Sequence, residues 1–209
     1  MKLRFSCLQR ESITLILVFG AACSTGPAQS LFTLHIGDNA SSSSILSRAV
    51  SAEDSYKADR VRKWSLDDGN ELSVSTSQSG KIVYLESDWN GKSNETGCDV
   101  SGFKFGETTL TDIRKRLGSN GFEFKQRGGA IDLPDGIVML NSYAVGSNVV
   151  TFITKVAEAD YFKAKTVGMK WVVADHARLD GISIASTEYA RAEWGERIYD
   201  PGYKPVTWK

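Results

Sequence analysis

The chain has 209 residues, 41% hydrophobic and 24% charged, and its Lys plus Arg count equals its Asp plus Glu count at 25 each. That balance leaves no basic field for nucleic acid and no overall acidic field for cationic ligands. Three cysteines and two histidines far apart in sequence, His35 and His176, make no metal-ligand set, and no nucleotide or other cofactor motif is present.

The N-terminus reads as an export signal. Lys2, Arg4 and Arg10 precede an apolar run over 13–18, which ends in Phe19, Gly20, Ala21, Ala22 and Cys23. An apolar core of about ten residues fits a signal h-region and is well short of the roughly 20 needed to span a bilayer. Residues 1–22 are therefore expected to be a removable signal peptide. Gly20 and Ala22 provide small-x-small cleavage positions, and the Cys23 thiol is placed to take a diacylglyceryl group. The pattern resembles a bacterial lipobox, with Gly20 where an aliphatic residue is usual. Ordinary cleavage near Ala22 or Ala28, and an uncleaved anchor or no export, are the other outcomes. With Cys7 in the leader and Cys23 lipidated, Cys98 is left either as a buried apolar thiol or as one able to pair between molecules; an unlipidated Cys23 would allow a disulfide to Cys98.

Residues 23–44 are small and polar, with Gly26, Pro27 and a serine run at 41–44, and read as a flexible tether interrupted by an apolar piece at 31–36. The folded domain is then 45–209, with 45–97 and 98–209 as candidate subunits. Residues 45–62 carry a loose helical pattern. Strand-like runs at 63–66, 71–77 and 81–89, separated by Asp67-Asp68-Gly69-Asn70 and Gln78-Ser79-Gly80, predict a three-stranded meander. The first separator offers too few oxygens for calcium and reads as a hairpin turn. The Gly-, Ser- and Asn-rich stretch 90–102 is the best subunit boundary.

Thr109 as N-cap with Asp112 three positions on, an apolar stripe of Leu110, Ile113 and Leu117, and Gly118 as the stop together predict a helix. Arg114, Lys115 and Arg116 are placed on its solvated side. Phe122 and Phe124 alternate with Glu123 and Lys125 in a strand, followed by strands at 137–140 and 149–156 around a Gly146-Ser147 turn. Residues 158–165 read as a helix, 171–174 and 182–185 as strands, and Ser186 as the cap of a short helix ending at Gly195. The tail after Tyr199 has no regular period.

The segment Phe105-Gly106-Glu107-Thr108-Thr109-Leu110-Thr111-Asp112-Ile113-Arg114-Lys115-Arg116-Leu117-Gly118, with strands after it, resembles the helical opening of the BamE/SmpA family of outer-membrane lipoproteins. The meander from Lys63-Trp64 through Gly80-Lys81-Ile82-Val83 is similar to that family's closing strands. Two such units in tandem are also similar to the beta-lactamase-inhibitor-protein architecture. The resemblance implies an envelope lipoprotein and an α+β fold over about 62–156, and transfers no functional residue.

No set of side chains reaches a catalytic signature. Asp175, His176, Asp180 and Ser183 contain the chemistry of a nucleophile, base and orienter, but Ser183 lacks a Gly-x-Ser-x-Gly elbow. Glu86 and Asp88, two apart on a strand, share a face as paired carboxylates would, and are expected to be exposed charges on the meander. The strongest candidate surface is aromatic: Trp194, Arg197, Tyr199, Tyr203 and Trp208, beside Arg191 and Lys204, are placed as partner-binding residues, with packing into the core as the other reading.

The fold expected is α+β, antiparallel sheet meanders with helices packed on one side, possibly as two tandem helix-plus-meander units. The function expected is a non-catalytic binding or assembly module for a protein or envelope-polymer partner. It would be exported, anchored through Cys23 to the outer membrane and facing the periplasm, with no nucleic acid and no cofactor. A secreted or periplasmic hydrolase and a secreted enzyme inhibitor are the alternatives.

Overall fold

A computed structural model of the chain describes residues 29–56, 59–99, 102–166 and 170–208. The signal peptide, Cys23 and the lipobox lie outside the described residues. The described strands run β1 (Ser30–Leu31), β2 (Leu34–His35), β3 (Ala52–Tyr56), β4 (Asp59–Ser65), β5 (Glu71–Thr76), β6 (Ile82–Asp88), β7 (Phe122–Phe124), β8 (Ala130–Leu133), β9 (Gly136–Val145), β10 (Asn148–Val156), β11 (Arg178–Ser186) and β12 (Arg197–Tyr199). The helices are α1 (Leu110–Leu117), α2 (Glu158–Thr166), α3 (Lys170–His176) and α4 (Thr187–Trp194). The architecture is α+β and antiparallel throughout. Strands β3 to β12 form one sheet in the order β12-β7-β9-β10-β11-β6-β5-β4-β3, with β8 also paired to β9. The β6–β11 ladder is the join: it fuses the N-terminal meander to the C-terminal strands, so the stretch around 90–102 does not divide two separate cores.

Alternation along each strand sorts residues onto two faces. One face carries Val74, Leu85, Ile182, Ile184, Val150, Phe152 and Tyr143, all buried in one continuous core. Helix α1 lies over it through Ile113, while Leu110 joins Ile137, Val156, Val173, Ala174 and Ala177 beneath α3. The Thr109 hydroxyl accepts from the Asp112 N–H and the Asp112 carboxylate accepts from the Thr109 N–H, the reciprocal cap expected from sequence. The Thr109 hydroxyl also donates to that carboxylate at 2.7 Å, and this bond first, then the one from the Thr109 N–H, holds the Asp112 carboxyl below its ordinary range. Gly118 ends the helix in the left-handed region, at φ 62°.

Four segments differ from expectation. The stretch read as a tether is packed from Gln29 onward: Leu31 and Leu34 are buried in the main core as the two arms of a tight hairpin. Its turn places Phe32 and Thr33 at φ 52° and 67°. Phe32 closes on Gly97, where a Cβ would lie 2.3 Å from the ring, so only a glycine fits there. The helix expected over 45–62 is a turn and then strands β3 and β4; the Trp64 indole N–H donates to the Arg48 carbonyl and the Ser51 N–H to the Lys63 carbonyl, so pairing with β4 overrides a weak local period. The strand expected at 171–174 is helix α3, because a short apolar run carries no period that separates a buried strand from a buried helix. Arg114 is not on the solvated side of α1: its guanidinium donates to the Asn141 side-chain oxygen at 3.3 Å and lies 4.0 Å from the Asp200 carboxylate.

Candidate functional site

The opposite face of the same sheet is chemically different. On β6 the outward residues are Tyr84, Glu86 and Asp88, and the register places small residues on both sides of the first two and on the β11 side of the third. Ser75 and Ala185 flank Tyr84, Ser73 and Ser183 flank Glu86, and Glu71 and Gly181 flank Asp88. The middle row continues through Thr151 and Ser142 on one side and Lys63 on the other. The result is a ridge of one phenol and two carboxyls between lanes of hydroxyls and glycine.

Tyr84 donates its hydroxyl to the Glu86 carboxylate. Arg127, from the turn after β7, approaches the same carboxylate at 3.9 Å, with side-chain exposures of 18% and 19% for the pair. The guanidinium also lies over the Trp194 ring at 4.3 Å, a cation–π contact in a partly desolvated setting. Trp194 is edge-on to Tyr84 and Phe124, and Tyr189 stacks on Tyr84 at 5.6 Å, so α4 and β7 close the Tyr84 end of the ridge with aromatic rings. Burial pushes the Tyr84 phenol well above its usual range, with the neighbouring Glu86 adding to the effect.

Asp88 lies at the other end. Its Oδ1 rests on bare backbone at Gly181, where a Cβ would come within 3.0 Å of it. Burial first, then the charge of Glu86, push the Asp88 carboxyl up to about 8, with Glu71 and Asp180 acting in the same direction and Lys63 against them. The Ser73 and Ser183 hydroxyls beside Glu86 are almost fully buried, at 1% exposure each, and have no hydrogen-bond partner; Ser75 Oγ is in the same condition. Buried hydroxyls are ordinarily satisfied; on the core face Ser87, Thr154 and Tyr143 also keep unpartnered hydroxyls, and what sets the ridge apart is that its orphans flank carboxyls. Glu86 and Asp88 are therefore half-buried in a polar floor, which corrects the expectation of exposed charges on a meander. The i, i+2 spacing was the signal that placed them on one face; what crowded them came from β11, which is distant in sequence.

The partner-binding residues expected from the tail do not form one surface. Trp208 is buried in the main core, 6.3 Å from Phe152. Trp194 packs at the Tyr84 end of the ridge. Arg197, Tyr199 and Tyr203 group at β12, the sheet edge, with Tyr199 against Tyr203 at 4.5 Å and Arg197 over Phe122 at 4.8 Å. Of these, Tyr199 is the exposed ring, beside exposed Ile198.

The residues weighed for a triad are also separated. Ser183 faces the ridge, while His176 and Asp175 are exposed at the end of α3 on the other side of the sheet, where Asp175 accepts from Thr111 at 2.5 Å. Asp180, whose carboxyl is raised by burial, adds its charge to the upward push on Asp88. Cys98 is half-buried against the main core and pairs by backbone with Leu31. Lys115 and Arg116, the outward basic residues of α1, line a cavity of about 490 Å³ with Gly102, Phe103, Thr108 and Asp112.

No protein-family model matches the chain, and no curated protein matches it. Among solved structures it is similar to an extracellular protein containing an SCP domain from Bacillus anthracis str. Ames, known from a 1.5 Å crystal structure, at 10% identity and a TM-score of 0.39. The match covers 98% of this chain and 57% of that one. At this level the likeness carries no inference about fold or activity.

Proposed function

We propose that the protein is an exported envelope lipoprotein, anchored at Cys23, that works as a non-catalytic binding module for an envelope partner. The observation that carries this reading is the leader: basic residues, a short apolar run and Gly20-Ala21-Ala22-Cys23 in the place where lipoprotein processing requires a cysteine. The residues between Cys23 and Gln29 span at most ~20 Å when extended. The packed hairpin that begins at Ser30 thus holds the domain close to its anchor rather than on a long leash. The resemblance of the α1 segment to the BamE/SmpA family supports the same location. Binding is preferred to hydrolysis because Ser183 and His176 stand on opposite sides of the sheet.

Mass spectrometry of the mature N-terminus, together with detergent partitioning, tests the anchor. The expected product starts at Cys23, carries acyl chains and enters the detergent phase. A free terminus further along, at Gln29 for example, would refute anchoring and favour a secreted protein. Replacing His176 by Ala tests the enzyme alternative: an envelope phenotype that survives unchanged counts against a His-dependent hydrolase.

A further inference from the structure

We propose that the Glu86–Asp88 ridge is a binding site for the ammonium group of a ligand, such as an amine-bearing small molecule or a lysine side chain of a partner. This deepens the binding-module reading by naming the chemistry recognised, and rests on it only in taking binding to be the activity.

Three observations converge. Glu86 and Asp88 project from the same strand onto the same face, and Glu71 and Asp180 add negative charge beside them. The cations facing this group are Arg127 from the turn after β7, Lys63 from β4 and, beside Asp180, Lys155 from β10; Arg127 is turned to Glu86 and Trp194, Lys155 to Asp135, and among the described residues the Asp88 carboxyl is attracted by Lys63 without a hydrogen bond or a close ion pair. Second, Ser183 and Ser73, both almost fully buried, present unpartnered hydroxyl oxygens on either side of Glu86. Third, Gly181 provides bare backbone under Asp88, so the β11 side of that carboxyl is bounded by main chain and the Ile153 side chain, with no β11 side chain in between.

A neutral polyol would satisfy the hydroxyls but leave two crowded carboxylates in repulsion. An ammonium relieves the repulsion and has three N–H donors, enough for both carboxylates and a serine oxygen. A calcium ion would need six to eight oxygens, and among the described residues no group of three or more acidic, His or Cys side chains is arranged to hold a metal. The raised proton affinity of Asp88 is what burial beside Glu86 produces, and it predicts how binding depends on pH.

The test is titration of the isotope-labelled, processed protein with n-butylamine, followed by NMR at pH 8.5, with n-butanol and calcium chloride as parallel probes. The expected result is saturable shifts of the Glu86, Asp88, Gly181 and Ser183 amides with n-butylamine alone. Affinity should fall about tenfold per pH unit below the Asp88 pKa of about 8, because the protonated carboxyl no longer attracts the cation. Asp88→Asn and Glu86→Gln should each weaken binding at least ~10-fold. Ser183→Ala, a smaller change at a buried position, should weaken it about threefold and serves if the carboxyl variants fold poorly. Equal shifts with n-butanol, the same shifts with calcium, no shift with n-butylamine, or unchanged binding in Asp88→Asn would each overturn the proposal. An unacylated mature N-terminus would refute the anchor and leave this result untouched.

Discussion

The two faces of the sheet are built from the same strands and do opposite work. On one, Phe152, Leu85 and Ile184 pack with Trp208, Leu31 and Ile113 into a dry core. On the other, residues one position away, Glu86, Ser183 and Thr151, form a polar row in which three serines around the ridge lack partners. The first face lowers free energy by burying apolar surface, with the Ser87, Thr154 and Tyr143 hydroxyls unpartnered within it; the second desolvates carboxyls as well as hydroxyls, which costs stability.

The largest effect expected is on the apolar face. Phe152→Ala should lower stability by about 4 kcal/mol, because an enclosed ring leaves a cavity, and chemical denaturation should show the loss at every pH. Trp208→Ala should cost about 3 kcal/mol by the same reasoning. A Trp208→Ala protein with an unchanged midpoint would mean that the tail does not clamp the core, and the contrast between tail residues would collapse.

Asp88→Asn should act in the opposite direction. The folded carboxyl has its pKa raised to about 8 from 3.8, so the stability linked to its proton is present in full below the unfolded value and is lost as pH rises through about 8. The wild-type protein should therefore weaken between pH 4 and pH 8.5, and the variant should escape that loss. At pH 8.5 Asp88→Asn should be more stable than wild type by on the order of 1–2 kcal/mol, with the gap closing toward pH 4. A variant that is destabilised equally at both ends would show Asp88 to be a structural hydrogen-bonding residue.

Thr109→Ala tests the local level and should cost about 1 kcal/mol through loss of the α1 cap. Tyr199→Ala, at an exposed ring on the sheet edge, should change stability by less than ~0.5 kcal/mol. The difference between Tyr199→Ala and Trp208→Ala separates edge from core within the segment first read as a single aromatic surface.

Elements with strong local chemistry were legible without the fold. Thr109 with Asp112 and Gly118 marks both ends of α1, and Asp68-Gly69 marks the β4–β5 hairpin, because a cap or a turn is satisfied by neighbours in the chain. Asn70 shows the limit: it belongs to that turn, yet its buried amide donates to the carbonyls of Ser93 and Glu95, partners no local pattern predicts. The same limit explains α3, where Val173 and Ala174 are apolar in any conformation and only the partners Leu110 and Ile137 select a helix. It also explains the 29–44 stretch, whose polar composition hid Leu31 and Leu34.

By itself, then, the sequence determined the basic, apolar and small-residue order of the leader, the meander, the α1 caps and the pairing of Glu86 with Asp88 on one face, all consequences of spacing along the chain. Tertiary structure decided the rest. The β6–β11 ladder brought Ser183 and Gly181 against those carboxyls, and an overall balance of charge turned out to contain a local acidic excess, because pairing across distant strands, not composition, sets which charges share a poorly solvated place.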